Sequence, residues 1–225
     1  YGTSASASPW MTRAGAVMSW QTFGAGLGPA FFPPAGVTVA AMLLNPRSRW
    51  PVIVAAIVVA ELAVDLRYGA SLTAAAGFGL ANSVEPMVGA SLVWAWCHGA
   101  PDLRDRVDLA KFVAGACLIG PLAGGLIGGG IAALHNGTWW PTAVLHWWAG
   151  DGIGALVVAA PVLLWSSQPH ILRSRLTETA LVLTATAALS VTAFWLQAPP
   201  SLLLLPVLAW AAFRLDVIGA ALAGA

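Results

Sequence analysis

The stretch DLAKFVAGACLIGPLAGGLIGGGIAAL, residues Asp108–Leu134, carries no charged side chain after Lys111. A helix needs about 20 apolar residues to cross the hydrocarbon layer of a bilayer, because each residue adds only about 1.5 Å to its length. The stretch is long enough to cross, and so is Trp140–Trp165 further along the chain. Both segments therefore predict membrane-spanning helices.

The composition of the whole chain agrees with these two segments. Of its 225 residues 59% are hydrophobic and only 8% are charged, whereas a soluble domain carries roughly a quarter charged residues. So few charges cannot cover a surface that faces water, and we expect lipid to surround most of the protein. The net charge of +1 and the lack of a basic tract exclude nucleic acid as a partner.

The segmentation predicts an all-α fold, a polytopic transmembrane helical bundle of about eight helices that forms a single membrane domain over residues 1–225. The chain begins without Met and stops inside an apolar run from Leu215, where a ninth helix could begin, so we expect it to be part of a longer protein. Predicted helices 1 to 8 are Trp10–Leu27, Pro34–Leu44, Pro51–Leu66, Ser71–Trp96, Asp108–Leu134, Trp140–Trp165, Leu176–Gln197 and Ser201–Phe213.

The basic residues predict the orientation of this bundle. Arg67 falls in a break on one side, and the other nine basic residues fall on the opposite side: Arg13, Arg47, Arg49, Arg104, Arg106, Lys111, Arg173, Arg175 and Arg214. Because positive loops stay in the cytoplasm, the pattern predicts a multi-pass protein of the bacterial inner membrane with a cytoplasmic N-terminus.

Four acids interrupt the apolar segments, namely Glu61, Asp65, Glu85 and Asp151. A carboxylate at the bilayer centre costs about 2.5–3.5 kcal/mol even on the lenient insertion scale, and no Lys or Arg is available at that depth. We therefore predict a polar ligand-binding pocket among predicted helices 3, 4 and 6, open toward the periplasm. Asn82, Glu85 and Asp151 would form its centre, and Glu61, Asp65 and His146 its rim.

Other interpretations of these polar and aromatic residues stay open. The acids could simply hold the helices together through interhelical hydrogen bonds. Trp147 and Trp148 fit an interfacial belt, although one of them, with Trp148 as the candidate, could line the cavity. The segment Phe31–Pro34 could be a rigid lid over the pocket, but a helix stop followed by a proline-favoured start is the simpler interpretation.

Soluble-enzyme chemistry finds no support in the sequence. The glycine run Gly124–Gly130 lies in a predicted membrane helix and lacks the lysine of a phosphate-binding loop. The histidines and cysteines show no zinc-ligand spacing. We expect no catalytic residues, no metal and no cofactor in this domain.

Four motifs in order resemble the first family of bacterial MASE-type membrane-associated sensor domains. They run through Phe32–Leu44, Leu80–Ala90, Gly120–Gly125 and Trp147–Pro161, and the resemblance covers roughly residues 31–214. The motif positions that carry over are Pro33, Pro34, Gly36, Asn82, Glu85, Pro86, Trp148, Gly150 and Asp151.

The resemblance implies a sensory input domain of a bacterial signalling protein. Such domains usually precede a histidine kinase, an enzyme of cyclic-di-GMP turnover or a phosphatase on the same chain, so an effector enzyme could follow this domain. We expect a small ligand or a membrane protein partner to shift the helix arrangement, and a homodimer is compatible with this role. The alternatives are a small secondary transporter, against which the lack of an internal repeat counts, and a membrane scaffold subunit of a larger complex.

Overall fold

The computed structural model describes residues 32–167 and 176–196, and this part of the chain is helical throughout, without a strand. The prediction of an all-α fold is confirmed. Predicted helices 2 to 7 begin and end within two residues of the observed ones, whereas predicted helices 1 and 8 and the start at Leu215 lie outside the described residues. The six helices are α1 Pro33–Leu44, α2 Trp50–Arg67, α3 Leu72–Cys97, α4 over residues 106–136, α5 Trp140–Ser167 and α6 Leu176–Leu196.

The helix ends follow local sequence rules. Ser71 caps α3, its hydroxyl accepting a hydrogen bond from the backbone N–H of Ala74. Asp105 caps α4 by accepting from the two backbone N–H groups of Val107 and Asp108. Such caps satisfy N–H groups that have no partner within the helix. The end of α4 is set by Gly137, whose left-handed φ of 68° suits glycine.

The helices pack in the order α2, α3, α4, α5, and α1 closes the group by contacting α5 and α3 as well as α2. Small residues bring these helices close together. The main core lies where α1, α3, α4 and α5 meet, and its fully buried members include Val39, Met42, Ala90, Val93, Phe112, Ala116, Ala155 and Ala159.

Two helices widen into π-helical turns shortly before a proline. In α4 the π-helical segment is Val113–Ile119 and the proline is Pro121; in α5 they are Ala155–Ala159 and Pro161. A proline has no N–H, so the carbonyl four residues earlier loses its usual helical partner. The indole N–H of Trp148 in α5 donates to the nearby Leu118 carbonyl at 2.8 Å. A side chain of α5 thus donates a hydrogen bond to a backbone carbonyl within the π-helical segment of α4.

The two ends of the group differ in charge. At one end, the Arg47 guanidinium lies over the Trp94 ring, 4.8 Å from its centroid, which joins the loop between α1 and α2 to the end of α3. The basic start of α4 follows that end of α3. At the other end, Ser71 lies 3.5 Å from the His135 ring near the end of α4. The basic loops Arg47–Arg49 and Arg104–Lys111 therefore lie at the same end, as their alternation along the chain requires.

The surface of the described helices is suited to lipid rather than water. α4 and α5 are long and apolar enough to cross a membrane, and α1 is a shorter apolar helix. Large apolar side chains face outward along the helices, while the carboxyl groups of Glu85 and Asp151 lie inside, which is uncommon in a water-soluble protein. Outward apolar residues include Val37, Val52, Leu72, Leu126, Leu145 and Leu156.

Candidate functional site

Four polar side chains are buried inside the described bundle, and three of them belong to the predicted site. Asn82 is 8% exposed, Glu85 1% and Asp151 4%. The fourth, Ser83, donates its hydroxyl hydrogen to the Gly79 carbonyl at 2.6 Å and needs no other partner. The remaining three lie on α3 and α5, whose side chains meet beside α4.

Glu85 lies at the centre of this group. Glycine at position 124 of α4 makes room for it, because a Cβ atom there would lie 2.8 Å from the Glu85 Cβ and 3.0 Å from its Oε2. The Asp151 carboxyl and the Trp147 indole from α5 lie next to the Glu85 carboxyl. Yet Glu85 Oε1, Asp151 Oδ2 and Trp147 Nε1 are buried without a hydrogen-bond partner among the described residues. The three side chains are close enough to interact with one another, but within the described part of the chain one oxygen of each carboxyl and the indole N–H lack a partner with good hydrogen-bond geometry.

A cavity of about 100 Å³ opens beside this group. Its polar wall is formed by Glu61 of α2 and by Asn82 and Glu85 of α3, and the Glu61 carboxyl lies next to the Asn82 amide. Phe32 and the first turns of α1 close the other side. The full lining is Phe32, Pro34, Ala35, Thr38, Ile57, Ala60, Glu61, Asn82 and Glu85.

Phe32, Pro33 and Pro34 both start a helix and form a wall. α1 begins at Pro33 with two prolines in its first turn, which confirms the proline-favoured helix start. The Phe32 N–H donates to the Gly150 carbonyl at 3.0 Å and so fixes the cavity wall to α5 immediately before Asp151. The sequence analysis offered Phe31–Pro34 as a possible lid over the pocket; Phe32 and Pro34 do line the cavity, whereas Phe31 lies outside the described residues.

Glycines allow the close crossing of α1 and α5. A Cβ atom on Gly36 would lie 2.6 Å from the Val158 Cβ and would collide with the Gly154 carbonyl oxygen. A Cβ on Gly154 would in turn meet the backbone of Phe32, 2.7 Å from its carbonyl carbon. The motif residue Gly36 is therefore explained by backbone contact, and this contact positions the start of α1 at the cavity.

The motif residue Pro86 alters the backbone next to the site. It lies inside α3 directly after Glu85, and it cannot donate a hydrogen bond to the carbonyl of Asn82, four residues earlier. That carbonyl loses its usual helical partner beside the buried amide of the same residue. Pro86 thus adds an acceptor to a group already rich in acceptors.

Four predicted site residues are not part of the cavity lining: Asp151, which lies next to Glu85, and Asp65, His146 and Trp148. Asp65 lies one helical turn from Glu61, close enough for their carboxylates to repel each other, and its Oδ2 is buried without a partner among the described residues. His146 is partly buried on α5 and is not in the lining. The indole of Trp148 contacts α4 through the Leu118 carbonyl, at 2.8 Å.

Trp147 is the site residue that the sequence analysis did not select. Its ring stacks on Phe78 of α3, with centroids 5.6 Å apart, and covers Gly128 of α4. It lies one turn before Asp151 at the i, i−4 position, which places both on one face of α5. That spacing was the available signal, but Trp148 at i−3 satisfies the same rule almost equally well.

The MASE1 family profile matches residues 13–225, nearly the whole chain. No curated protein and no solved structure gives a significant match. The match agrees with the all-helical fold, the outward apolar surface and the four motifs whose residues are now located. The chain belongs to the MASE1 family of membrane-associated sensor domains.

Proposed function

We propose that this sensory domain detects its signal by binding a ligand in the cavity between α1, α2 and α3, with Asp151 of α5 directly behind it. The observation that carries the proposal is Glu85, a carboxyl group that is 1% exposed, borders the cavity and keeps Oε1 without a partner. An unpaired buried polar group costs about 1–3 kcal/mol. A ligand that pairs with it recovers this free energy.

The four surrounding helices offer a route from the cavity to the rest of the domain. A ligand between Glu61 and Glu85 contacts α2 and α3 and touches the start of α1 at Phe32. The Phe32 N–H donates a hydrogen bond to the Gly150 carbonyl of α5, and the Asp151 side chain lies next to that of Glu85. A ligand that favours one spacing of these helices therefore shifts the population of helix arrangements.

The unpaired acids favour a sensor over a scaffold. A scaffold bundle held together by its polar residues would pair them, because an unsatisfied group weakens the packing it is meant to support. Here Glu85 and Asp151 each retain an unpaired oxygen among the described residues. A binding site, by contrast, keeps such atoms available for its ligand.

We further propose that the protein is a multi-pass protein of the bacterial inner membrane with the basic end of the described helices in the cytoplasm. Arg47, Arg49 and Arg104–Lys111 lie at that end, and the positive-inside rule supports this orientation. The cavity would then lie at the membrane interior, toward the periplasmic half.

The test uses the full-length gene product in its native membrane and measures the activity of its output domain across a panel of growth media. The variant is E85Q/D151N, which keeps the shapes of both side chains and removes their charge. We expect its output to stay constant across media in which the wild-type output changes.

The matched control is D102N/D105N, which removes two negative charges from the exposed loop before α4. Asparagine remains a good helix cap at position 105, so this variant is expected to respond as the wild type does. Equal amounts of the three proteins in the membrane, measured by immunoblot, make the outputs comparable. A double variant E85Q/D151N that still responds like the wild type would overturn the proposal.

A further inference from the structure

We infer that the cavity beside Glu85 takes a small organic cation, an ammonium group that donates hydrogen bonds and carries few non-hydrogen atoms. This inference rests on the proposed function, since it names the chemical class of the ligand at the same cavity. It follows from three features of the lining: an excess of acceptors, a helix start that has no free donors, and small size.

The lining presents mainly hydrogen-bond acceptors. Glu61 and Glu85 are both lining residues, and Glu85 Oε1 is buried beside the cavity without a partner among the described residues. Asn82 adds an amide oxygen, and its side-chain NH₂ is the main donor group of the wall. The Thr38 hydroxyl donates to the Ala35 carbonyl at 2.9 Å and is therefore used within α1. A ligand that fits this wall must bring donors.

The start of α1 would ordinarily supply donors to an anion. The first four N–H groups of a helix have no partner within it, and together with the helix dipole they attract negative charge. At α1, two of these positions are Pro33 and Pro34, which have no N–H. The Phe32 N–H is bonded to the Gly150 carbonyl at 3.0 Å, and the Ala35 N–H to the Phe32 carbonyl at 3.2 Å. All four groups are absent or occupied, so this helix start offers no hydrogen-bond donor to an anionic ligand.

Nothing positive balances the carboxyl groups within the described residues. The groups that interact with Glu61, Glu85 and Asp151 are acids, an amide and an indole, with no Lys or Arg among them. The Lys111 ammonium lies 3.0 Å from Asp108 near the basic end of α4. A cation at the cavity would reduce the repulsion between these carboxylates, which a neutral or anionic ligand cannot do.

The dimensions and chemistry of the lining favour an organic ion over a metal ion. The cavity volume of about 100 Å³ is smaller than the roughly 150 Å³ of a cavity that holds benzene, so the ligand has few non-hydrogen atoms. The described residues contain no cluster of three or more His, Cys, Asp or Glu side chains disposed to hold a metal ion. Phe32, Ile57 and Ala60 provide an apolar wall that suits the carbon atoms of an alkylammonium ion, and an aromatic ring also attracts cations.

The experiment measures protection of Glu85 from a membrane-permeant carbodiimide, which modifies carboxylic acids in apolar surroundings. The full-length protein in lipid nanodiscs is treated with the reagent, and peptide mass spectrometry gives the modification rate at Glu85. Methylammonium chloride is the test probe. Acetamide is the neutral probe of similar size, sodium acetate the anionic one, and sodium and magnesium chloride are the metal-ion probes at matched ionic strength.

We expect methylammonium to slow the modification of Glu85 by about tenfold at ten times its dissociation constant, as simple mass action requires. For an ion this small we expect a dissociation constant in the millimolar range or higher. The titration therefore extends to about 100 mM. The same probe should raise the melting temperature of the wild type but not of E85Q. The melting measurement also decides the matter if Glu85 reacts too slowly with the carbodiimide.

Every other result overturns the cation assignment, but not always the proposed function. Protection by acetamide at least as strong as by methylammonium would indicate a neutral ligand, and protection by sodium or magnesium alone would indicate a metal ion; in both cases a binding site at the cavity remains. If no probe protects Glu85 or shifts the melting temperature, the cation assignment is wrong. The output of E85Q/D151N then judges the proposed function separately.

Discussion

The crossing of α1 and α5 gives a sharp prediction for Gly36→Ala. A Cβ atom at position 36 would lie 2.6 Å from the Val158 Cβ and 3.0 Å from the Ala159 backbone nitrogen, besides colliding with the Gly154 carbonyl oxygen. Two of these three neighbours are backbone atoms of a packed helix, and they cannot rotate away. The two helices must therefore move apart.

The expected cost follows from two opposing effects. Overpacking of a well-filled core costs about 1–3 kcal/mol. Alanine in place of a helical glycine returns up to about 1 kcal/mol. Because the obstructing atoms are mostly backbone, the cost should lie near its upper end, and we expect a net loss of roughly 1–2 kcal/mol in the free energy of unfolding.

Gly79→Ala is the matched control, since Gly79 is also a buried glycine inside a helix. Its added Cβ would lie 3.7 Å from the Val58 Cα and 3.9 Å from the Glu61 Cβ, at ordinary van der Waals distance. We expect this variant to gain up to about 1 kcal/mol from helix propensity alone. We therefore expect Gly36→Ala to lower the free energy of unfolding and Gly79→Ala to raise it.

The assay is thermal unfolding in nanodiscs, followed by the fluorescence of the 12 tryptophans. A separation of about 2 kcal/mol corresponds to roughly 4–8 °C in melting temperature for a chain of this size. Gly36→Ala should melt below the wild type and Gly79→Ala at or above it. Equal melting temperatures for the two variants would refute the contact between α1 and α5 at this position.

Two further predictions concern interactions near the helix ends and the π-helical turns. Trp148→Phe removes the 2.8 Å hydrogen bond to the Leu118 carbonyl, and it should lower the free energy of unfolding by about 1 kcal/mol. A melting temperature equal to that of the wild type would contradict this role. Arg47→Ala removes a guanidinium that lies 4.8 Å and 5.5 Å from the Trp94 and Trp50 ring centroids, and it should cost about 1 kcal/mol. Arg49→Ala, which loses an exposed 3.2 Å hydrogen bond to Asn45 Oδ1, should cost less, and a reversed order in the same assay would count against the stacking.

The helix bounds could be predicted because short polar segments separate the apolar helices of this chain. Predicted helix 4, Ser71–Trp96, became α3 Leu72–Cys97, since Ser71 is a good helix cap and the chain takes a left-handed conformation at His98. The π-helical turns in α4 and α5 could not be predicted. Their prolines indicate that a carbonyl loses its partner, but whether the helix kinks or widens depends on what neighbouring helices place beside it.

The candidate site was predictable in its acids and less so in its walls. Charge inside apolar segments singled out Glu61, Glu85 and Asp151, and the structure brings Glu61 and Glu85 to one cavity with Asp151 behind them. The choice between Trp147 and Trp148 could not be made, because positions i−4 and i−3 from Asp151 lie on nearly the same helix face. The segment Phe31–Pro34 was proposed as one possible lid, and Phe32 and Pro34 do line the cavity. The hydrogen bond from Phe32 to the Gly150 carbonyl could not be predicted, because only tertiary packing brings these residues together.

The features that weaken regular structure converge on one place in this fold. Pro33 and Pro34 remove donors from the start of α1, Pro86 removes a partner from the Asn82 carbonyl, and Glu85 keeps an unpaired oxygen. Sites where a sequence departs from local rules are commonly functional, and here each departure removes a donor or adds an acceptor. An unpaired buried group costs about 1–3 kcal/mol, and a ligand can shift a conformational equilibrium only by its difference in affinity for the two states. The cost of leaving these atoms unpaired is therefore comparable to the difference in affinity by which a ligand that brings donors could shift the helix arrangement.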